Sequence, residues 1–340
     1  MNDSSFFYAL WRRKQRYALK LLAAGANPNQ ADDCGYTPLM VAVSCCLPKM
    51  VQELIRRGAD PNVQDKDGRT ALRMACGHLT GREGAEIVHL LLEAGADITI
   101  PDKRGFTTVD TLLTLALEGV DLPDSVTVDK SLFNFLSACK SGDLRYLESV
   151  DCNIIPRRIL NHALVDCSIH GFTDCCVLLI SKGADPNGYN IAGSYPLERA
   201  IRYLHFNTAH QLIDYGALVN GPSTLDDNSL ANTPLVTACQ HEAMFKDSRH
   251  KRIISRMVTL LLHKGAAPNA KQGGGFTALR QAVLCSRDLS LIRKLLMYGA
   301  DPSIKDDAGL SPLEHAQWTS RQDIVDLLQR HLNSLDTCSQ

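Results

Sequence analysis

Several kinds of feature are missing from this 340-residue chain, and each absence narrows what it does. No stretch approaches the ~18–20 consecutive apolar residues that a membrane-spanning helix needs. The opening Met1-Asn2-Asp3-Ser4-Ser5-Phe6-Phe7-Tyr8 has no basic residues ahead of its apolar cluster, so it does not read as a secretory leader. Charge of one sign is also lacking: 36 Lys and Arg stand against 37 Asp and Glu, and no global field recruits nucleic acid or a membrane surface. The glycine-rich phosphate loop, the Gly-x-Ser-x-Gly elbow, the His-Glu-x-x-His pair and the dinucleotide fingerprint are absent as well. Gly273-Gly274-Gly275 has no strand pattern before it, and reads as the tip of a turn. No catalytic residue, metal or cofactor is therefore expected.

Cysteine is plentiful, at twelve residues. Cys45, Cys46, Cys76, Cys139, Cys167 and Cys176 fall at helical positions that suit small apolar side chains. Cys167, His170, Cys175 and Cys176, with His162 nearby, cluster along the sequence. They lack the two spaced ligand pairs of a zinc site and read as packing residues. Unpaired thiols in this number fit a reducing compartment, which points to cytoplasm or nucleus.

What the chain does contain is a recurring phrase: Gly25-Ala26-Asn27-Pro28-Asn29, Gly58-Ala59-Asp60-Pro61-Asn62, Gly95-Ala96-Asp97, Gly183-Ala184-Asp185-Pro186-Asn187, Gly216-Ala217, Gly265-Ala266-Ala267-Pro268-Asn269 and Gly299-Ala300-Asp301-Pro302. Successive glycines are 33, 37, 88, 33, 49 and 34 residues apart, and such self-similarity marks a stack of repeats. Local chemistry explains each part. Thr37, Thr70, Thr233, Thr277 and Ser311 can cap a helix start, often with Pro at the first helical position. Ala42, Ala75, Ala200, Ala238, Ala282 and Ala316 follow five residues after each cap, where helices must approach closely. Val51, Leu54 and Ile55, or Val258, Leu261 and Leu262, make the apolar stripe of a second helix. Glycine then ends that helix in the left-handed conformation. An Asp-x-x-Gly or Asn-x-x-Gly turn leads to the next cap, as in Asp32–Gly35, Asp65–Gly68, Asp102–Gly105, Asn190–Gly193 and Asp306–Gly309.

Helix, helix and turn in this register resemble the ankyrin repeat family over nearly the whole chain. The resemblance implies an all-α solenoid of helix-turn-helix units joined by short hairpin-like turns. Ten units are expected, starting near Ser4, Thr37, Thr70, Thr107, Phe133, His162, Tyr195, Thr233, Thr277 and Ser311. Only 26 residues separate Thr107 from Phe133, too few for two helices and a turn, and Pro123 interrupts any helix there. The sequence therefore predicts repeats over 1–118, a break or kink over 119–130, and further repeats over 131–340. Insertions are expected near 223–232 and 240–251. One kinked array is favoured over two stacks meeting at an angle.

Members of this family recognise partners on a concave surface of turn tips and first helices. Carried across, that geometry makes Tyr36, Met40, Lys66, Arg69, Arg73, Phe106, Tyr189, Phe276 and Arg280 the expected contact residues. Met40, Arg73, Asp110, Glu198, Arg280 and Glu314 stand where the family commonly has His, a departure expected to remove a hydrogen-bonding group. In some members the asparagine that begins the turn is hydroxylated; the counterparts here are Asn29, Asn62, Asn187, Asn220 and Asn269. Two basic clusters, Arg12–Arg16 and Lys246–Arg256, read as solvated faces or as contacts for an acidic partner segment. The implied function is a non-catalytic intracellular scaffold or adaptor, monomeric, binding one or more proteins and no nucleic acid. The alternatives are a substrate-recognition adaptor of a ubiquitin ligase, or a host-directed effector.

Overall fold

The computed structural model describes residues 3–78, 81–120, 122, 129–221, 233–240, 248–285 and 289–338. Among them the chain is helical, with one isolated bridge between Gln272 and Phe276 in place of any strand. It divides into two compact units, residues 1–137 and 138–340, and the division falls within α8 (Lys130–Ser141). Most of the expected break at 119–130 and both expected insertions lie wholly or partly outside the described residues.

The first unit pairs α1 (Asp3–Trp11) with α2 (Gln15–Ala23), α3 (Pro38–Ser44) with α4 (Pro48–Arg56), and α5 (Ala71–Ala75) with α6 (Arg82–Glu93). First helices stack on first helices, α1 on α3 and α3 on α5, while α4 packs on α6. Leu39, Val41, Ala42, Met50, Val51, Leu54, Leu72, Ile87, Val88 and Leu91 fill the space between. Each large side chain gains about 1.5–3 kcal/mol from burial. No single pair buries its own stripe, so stability comes from neighbours.

Helix α7 (Thr108–Leu117) is a hybrid. Its start is that of a first helix: Thr107 accepts from the Asp110 N–H, and the Asp110 carboxylate accepts from the Thr107 N–H at 2.8 Å. Its end is that of a second helix, with Gly119 at φ +79 and the Val120 N–H bonded to Leu115 O at 3.0 Å.

In the second unit α9 (Leu144–Ser149) packs on α11 (Thr173–Ser181), and the pairs are α10 (Arg157–His170) with α11 and α12 (Pro196–Arg202) with α13 (Phe206–Asp214). They continue as α14 (Pro234–Gln240) with α15 (Ser248–His263), α16 (Ala278–Cys285) with α17 (Leu289–Met297), and α18 (Pro312–Trp318) with α19 (Gln322–Cys338). Two expected starts are corrected here. The fifth unit is capped by Asp129, which accepts from the Ser131 N–H, and not at Phe133. The sixth begins after Pro156, and His162 lies buried in mid-helix, because α10 has 14 residues where α3, α12 and α18 have 7. All six small alanines are buried as their spacing required, and Cys139, Cys167, Cys175 and Cys176 pack in the core.

Polar links between repeats follow a rule. Each turn asparagine donates to the carbonyl of the next repeat's helix-ending glycine and accepts from the N–H two residues beyond it. Asn29 reaches Gly58 O (2.8 Å) and the Asp60 N–H (2.8 Å); Asn62 reaches Gly95 O (3.1 Å) and the Asp97 N–H (2.7 Å). Asn187, Asn220 and Asn269 do the same toward Gly216, Gly265 and Gly299. The turns also touch directly: the Lys66 N–H donates to Cys34 O, and the Lys103 N–H to Asp67 O. This close approach fixes Gly68, where a Cβ would lie 2.7 Å from the Lys103 nitrogen, on top of a positive φ of +80.

Gly58 has a similar φ of +85 with open space around it. Gly58→Ala is therefore expected to cost only the left-handed strain, about 1–2 kcal/mol, and Gly68→Ala clearly more. Equal losses in urea unfolding would show that turn stacking contributes nothing. The opposite change has an opposite sign: Ser320 sits at φ +55 after α18, so Ser320→Gly is expected to raise stability by up to about 1 kcal/mol.

Candidate partner-binding surfaces

The turn carboxylates organise the first-helix side of each unit. At Asp32, Asp65, Asp102, Asn190 and Asp306 the residue that opens the turn accepts two backbone N–H groups of its own turn through one oxygen. Asp65 takes those of Asp67 and Arg69, and Asp102 those of Arg104 and Phe106. The second oxygen remains for a cation. Asp65 receives Arg69 Nε at 2.9 Å, with Asp67 pairing to the same guanidinium at 2.7 Å. Asp102 receives Arg73 from the preceding repeat at 3.0 Å, and Arg73 also donates to Thr111. The expectation that arginine at this position removes a hydrogen-bonding group is thus corrected: its longer side chain reaches forward and links two repeats. Glu314 likewise closes a capping box with Ser311.

Around this frame the first unit presents a run of aromatic and basic groups. Trp11, half exposed at the end of α1, meets the Tyr36 ring edge-on at 6.3 Å. The Tyr36 hydroxyl accepts from Arg69 at 3.1 Å. Lys66 is exposed beside it at the turn tip. Among the expected contact residues the Arg73 side chain is only 10 % exposed, and two others do not reach this surface at all. Met40 is 0 % exposed, since its sulfur turns back to accept from the Thr37 N–H, completing the helix cap. Phe106 is 2 % exposed and fills the core at the start of α7, with the Arg104 guanidinium over its ring. Trp11 is the residue the sequence reading missed. Its signal was a large aromatic one residue past the apolar face of α1, next to the basic cluster at 12–16, of which Arg12, Arg13 and Lys14 occupy the loop between α1 and α2 and Arg16 lies in α2.

The second unit carries a separate arrangement. Tyr189 and Tyr195 meet edge-on at 5.8 Å, both partly buried. The Arg280 guanidinium lies 3.7 Å over the Phe276 ring, and its Nε is 3.4 Å from Asp306 Oδ2, ion-pair distance without an aligned hydrogen bond. His315 Nε2 is 2.7 Å from the same oxygen. Gly273-Gly274-Gly275 forms the adjoining turn tip, with the Gly275 N–H on Gln272 O. Burial pushes the Cys76 thiol up to about 12.

These surfaces belong to a stack of helix pairs that holds shape without a closed core and offers side chains from a rigid ledge. The comparisons agree. Residues 6–102 match a family model described as ankyrin repeats in three copies, and residues 260–316 one described as ankyrin repeats in many copies. Both stretches are ankyrin repeats. It is 31 % identical over 186 residues, 52 % of its length, to a fowlpox virus protein named as a putative ankyrin repeat protein, of which 50 % is covered. A Treponema pallidum protein named as a putative ankyrin repeat-containing protein is 36 % identical over 147 residues, covering 43 % of this chain and 44 % of that one. An E3 ubiquitin-protein ligase of Arabidopsis thaliana, KEG, is 27 % identical over 294 residues, covering 76 % of this chain and 16 % of the ligase. The chain spans half or less of each of these relatives. No helix among the described residues is long and apolar enough to cross a membrane.

The Asp306 cluster makes a pH prediction. The His315 hydrogen bond, followed by the backbone N–H bonds of the turn and the His315 charge, holds the Asp306 carboxyl at about 2, below its ordinary 3.8. A depressed carboxyl contributes stability above its unfolded pKa and loses it as pH falls toward the folded value. Wild type is therefore expected to exceed Asp306→Asn most above about pH 4, with the gap closing toward pH 2. A gap independent of pH in urea unfolding would remove Asp306 as the titrating group.

Proposed function

We propose that the protein is a non-catalytic interaction module, acting as a scaffold or adaptor that grips segments of partner proteins on its first-helix and turn-tip side. Ankyrin repeats bind proteins, and the observation that carries the finer reading is the linked run Trp11, Tyr36 and Arg69. Aromatic and arginine side chains held in place before binding lose little rotamer freedom on contact, which is where interface energy concentrates. Asp65 and Asp67 anchor the Arg69 guanidinium, yet its side chain stays 37 % exposed and can still meet an acidic group. Tyr189, Phe276 and Arg280 form the matching candidate surface of the second unit, so two partners can be held by one chain. The setting is cytoplasmic or nuclear, in keeping with eleven described free cysteines.

A second reading, substrate recognition for a ubiquitin ligase, draws on the likeness to the Arabidopsis ligase. That likeness covers a small part of the ligase, and repeats shared with viral and bacterial proteins argue for shared recognition and not for shared chemistry.

The test is affinity capture of the full chain from its native cell, comparing wild type, Trp11→Ala/Arg69→Glu and the exposed control Trp318→Ala. The double variant is expected to lose at least one partner that the control keeps. Identical protein sets from all three would refute the first-unit surface.

A further inference from the structure

The second-helix side of the second unit, away from the surface just described, holds a groove with an apolar part and a cationic part. Phe206, the first residue of α13, stands between them. On one side is a cavity of about 820 Å³ whose lining joins Leu144 of α9 and Val177 and Leu178 of α11 to polar Thr173, Ser181, Asn207 and Gln211 and to the carboxylates of Glu148 and Asp174. On the other is a cavity of about 390 Å³ between α13, α15 and α17. Phe206 and His210 line both, so the two cavities adjoin.

Every charged group lining the smaller cavity is basic: Arg256, Lys294 and the two histidines His210 and His263. Arg256 stacks on the Phe206 ring at 4.2 Å, and no carboxylate among the described residues pairs with it. Lys294 donates to Ser255 O (3.1 Å), Ser255 Oγ (2.7 Å) and Thr259 Oγ1 (2.7 Å). These neutral acceptors take up its three protons and leave its charge unbalanced. Desolvation lowers its basicity accordingly. The carboxylate of Asp214 is held by Lys264 (2.8 Å) and by His210 Nδ1 (3.0 Å).

We propose that this groove binds a phosphorylated serine or threonine within an apolar segment of a partner protein. The phosphate sits in the smaller cavity against Arg256 and Lys294, and a neighbouring apolar side chain sits against Leu144, Val177 and Leu178. A phosphate monoester carries about −1.5 to −2 charges at neutral pH, which two permanent cations balance; a carboxylate would balance only one. The Arg256 fork, preset by its stack on Phe206, suits two phosphate oxygens at once. Glu148 and Asp174 at the margin repel a ligand that is anionic along its length, such as RNA or a lipid surface.

The test presents the immobilised full chain with an oriented peptide library fixed at phosphoserine, the same library with serine, the same with glutamate, and phosphatidylcholine vesicles containing a phosphatidylinositol phosphate. The expected result is enrichment of phosphoserine peptides with an apolar residue at one fixed spacing. Arg256→Ala, at an exposed position, is expected to weaken capture at least about tenfold, with an unchanged urea midpoint. Val177→Asp is expected to abolish the apolar selection while phosphoserine is still preferred. The proposal is overturned if no library is enriched, if serine or glutamate peptides are captured equally, if Arg256→Ala changes nothing, or if only vesicles bind.

Discussion

Everything in this molecule rests on hydrogen bonds that one repeat makes for the next. A helix-ending glycine leaves its carbonyl exposed and the N–H two residues on without a helical partner. The asparagine of the preceding repeat satisfies both groups with one amide, at 2.7–2.8 Å on the N–H side for Asn29, Asn62, Asn187 and Asn269. Removing the amide would leave two orphan backbone groups, so the side chain cannot be exchanged for an apolar one of similar size without loss. The rule also shows where a run ends. Thr99 stands at the asparagine position of its repeat, and its hydroxyl turns back to Asp97 at 2.7 Å. Where the sixth unit lacks the phrase ahead of it, Asn161 of α10 supplies the equivalent oxygen to the Asp185 N–H. The function is preserved by a residue from a different element.

The same economy shapes the binding surfaces. A turn aspartate must accept two N–H groups through one oxygen to close its turn, and the other oxygen then needs a cation. Arg69, Arg73, Arg280 and His315 answer that need at three turns. Structural demand thus places guanidinium groups at the turn line of both units, and fixes them before any partner arrives. Where those groups remain accessible, as at Arg69, they become recognition elements at little further entropy cost. Where they are enclosed, as at Arg73, whose side chain is 10 % exposed, they serve the stack.

Much of this was legible in the sequence because the chemistry is local. The caps at Thr37, Thr70, Thr107 and Ser311, the buried alanines and the left-handed glycines each follow from neighbours within a few residues. What escaped depends on reach. Nothing in the local pattern tells that the Arg73 side chain bridges to Asp102, twenty-nine residues on, or that Met40 turns inward to complete a cap. The position before the cap hid a similar ambiguity. Tyr36 has a hydroxyl that must stay near water or a donor, and lies partly exposed; Phe106 has none and goes into the core. The starts of α8 and α10 were misplaced since Asp129 and Pro156 open longer helices than the repeat length allows for.

The two faces of the second unit differ in what their positive charges lack. On the turn line each described arginine faces a carboxylate that the fold itself requires, so a partner there must compete with or extend an existing pair. At Arg256 and Lys294 the fold supplies an aromatic ring and neutral oxygens in place of a carboxylate. A half-buried ammonium with balanced hydrogen bonds but unbalanced charge is costly to keep unless something restores the balance. An apolar side chain at position 294 would pack between α15 and α17 without that cost. Retaining lysine there, beside a stacked arginine and an apolar trough, is explained by an anion that arrives from outside and brings apolar surface with it.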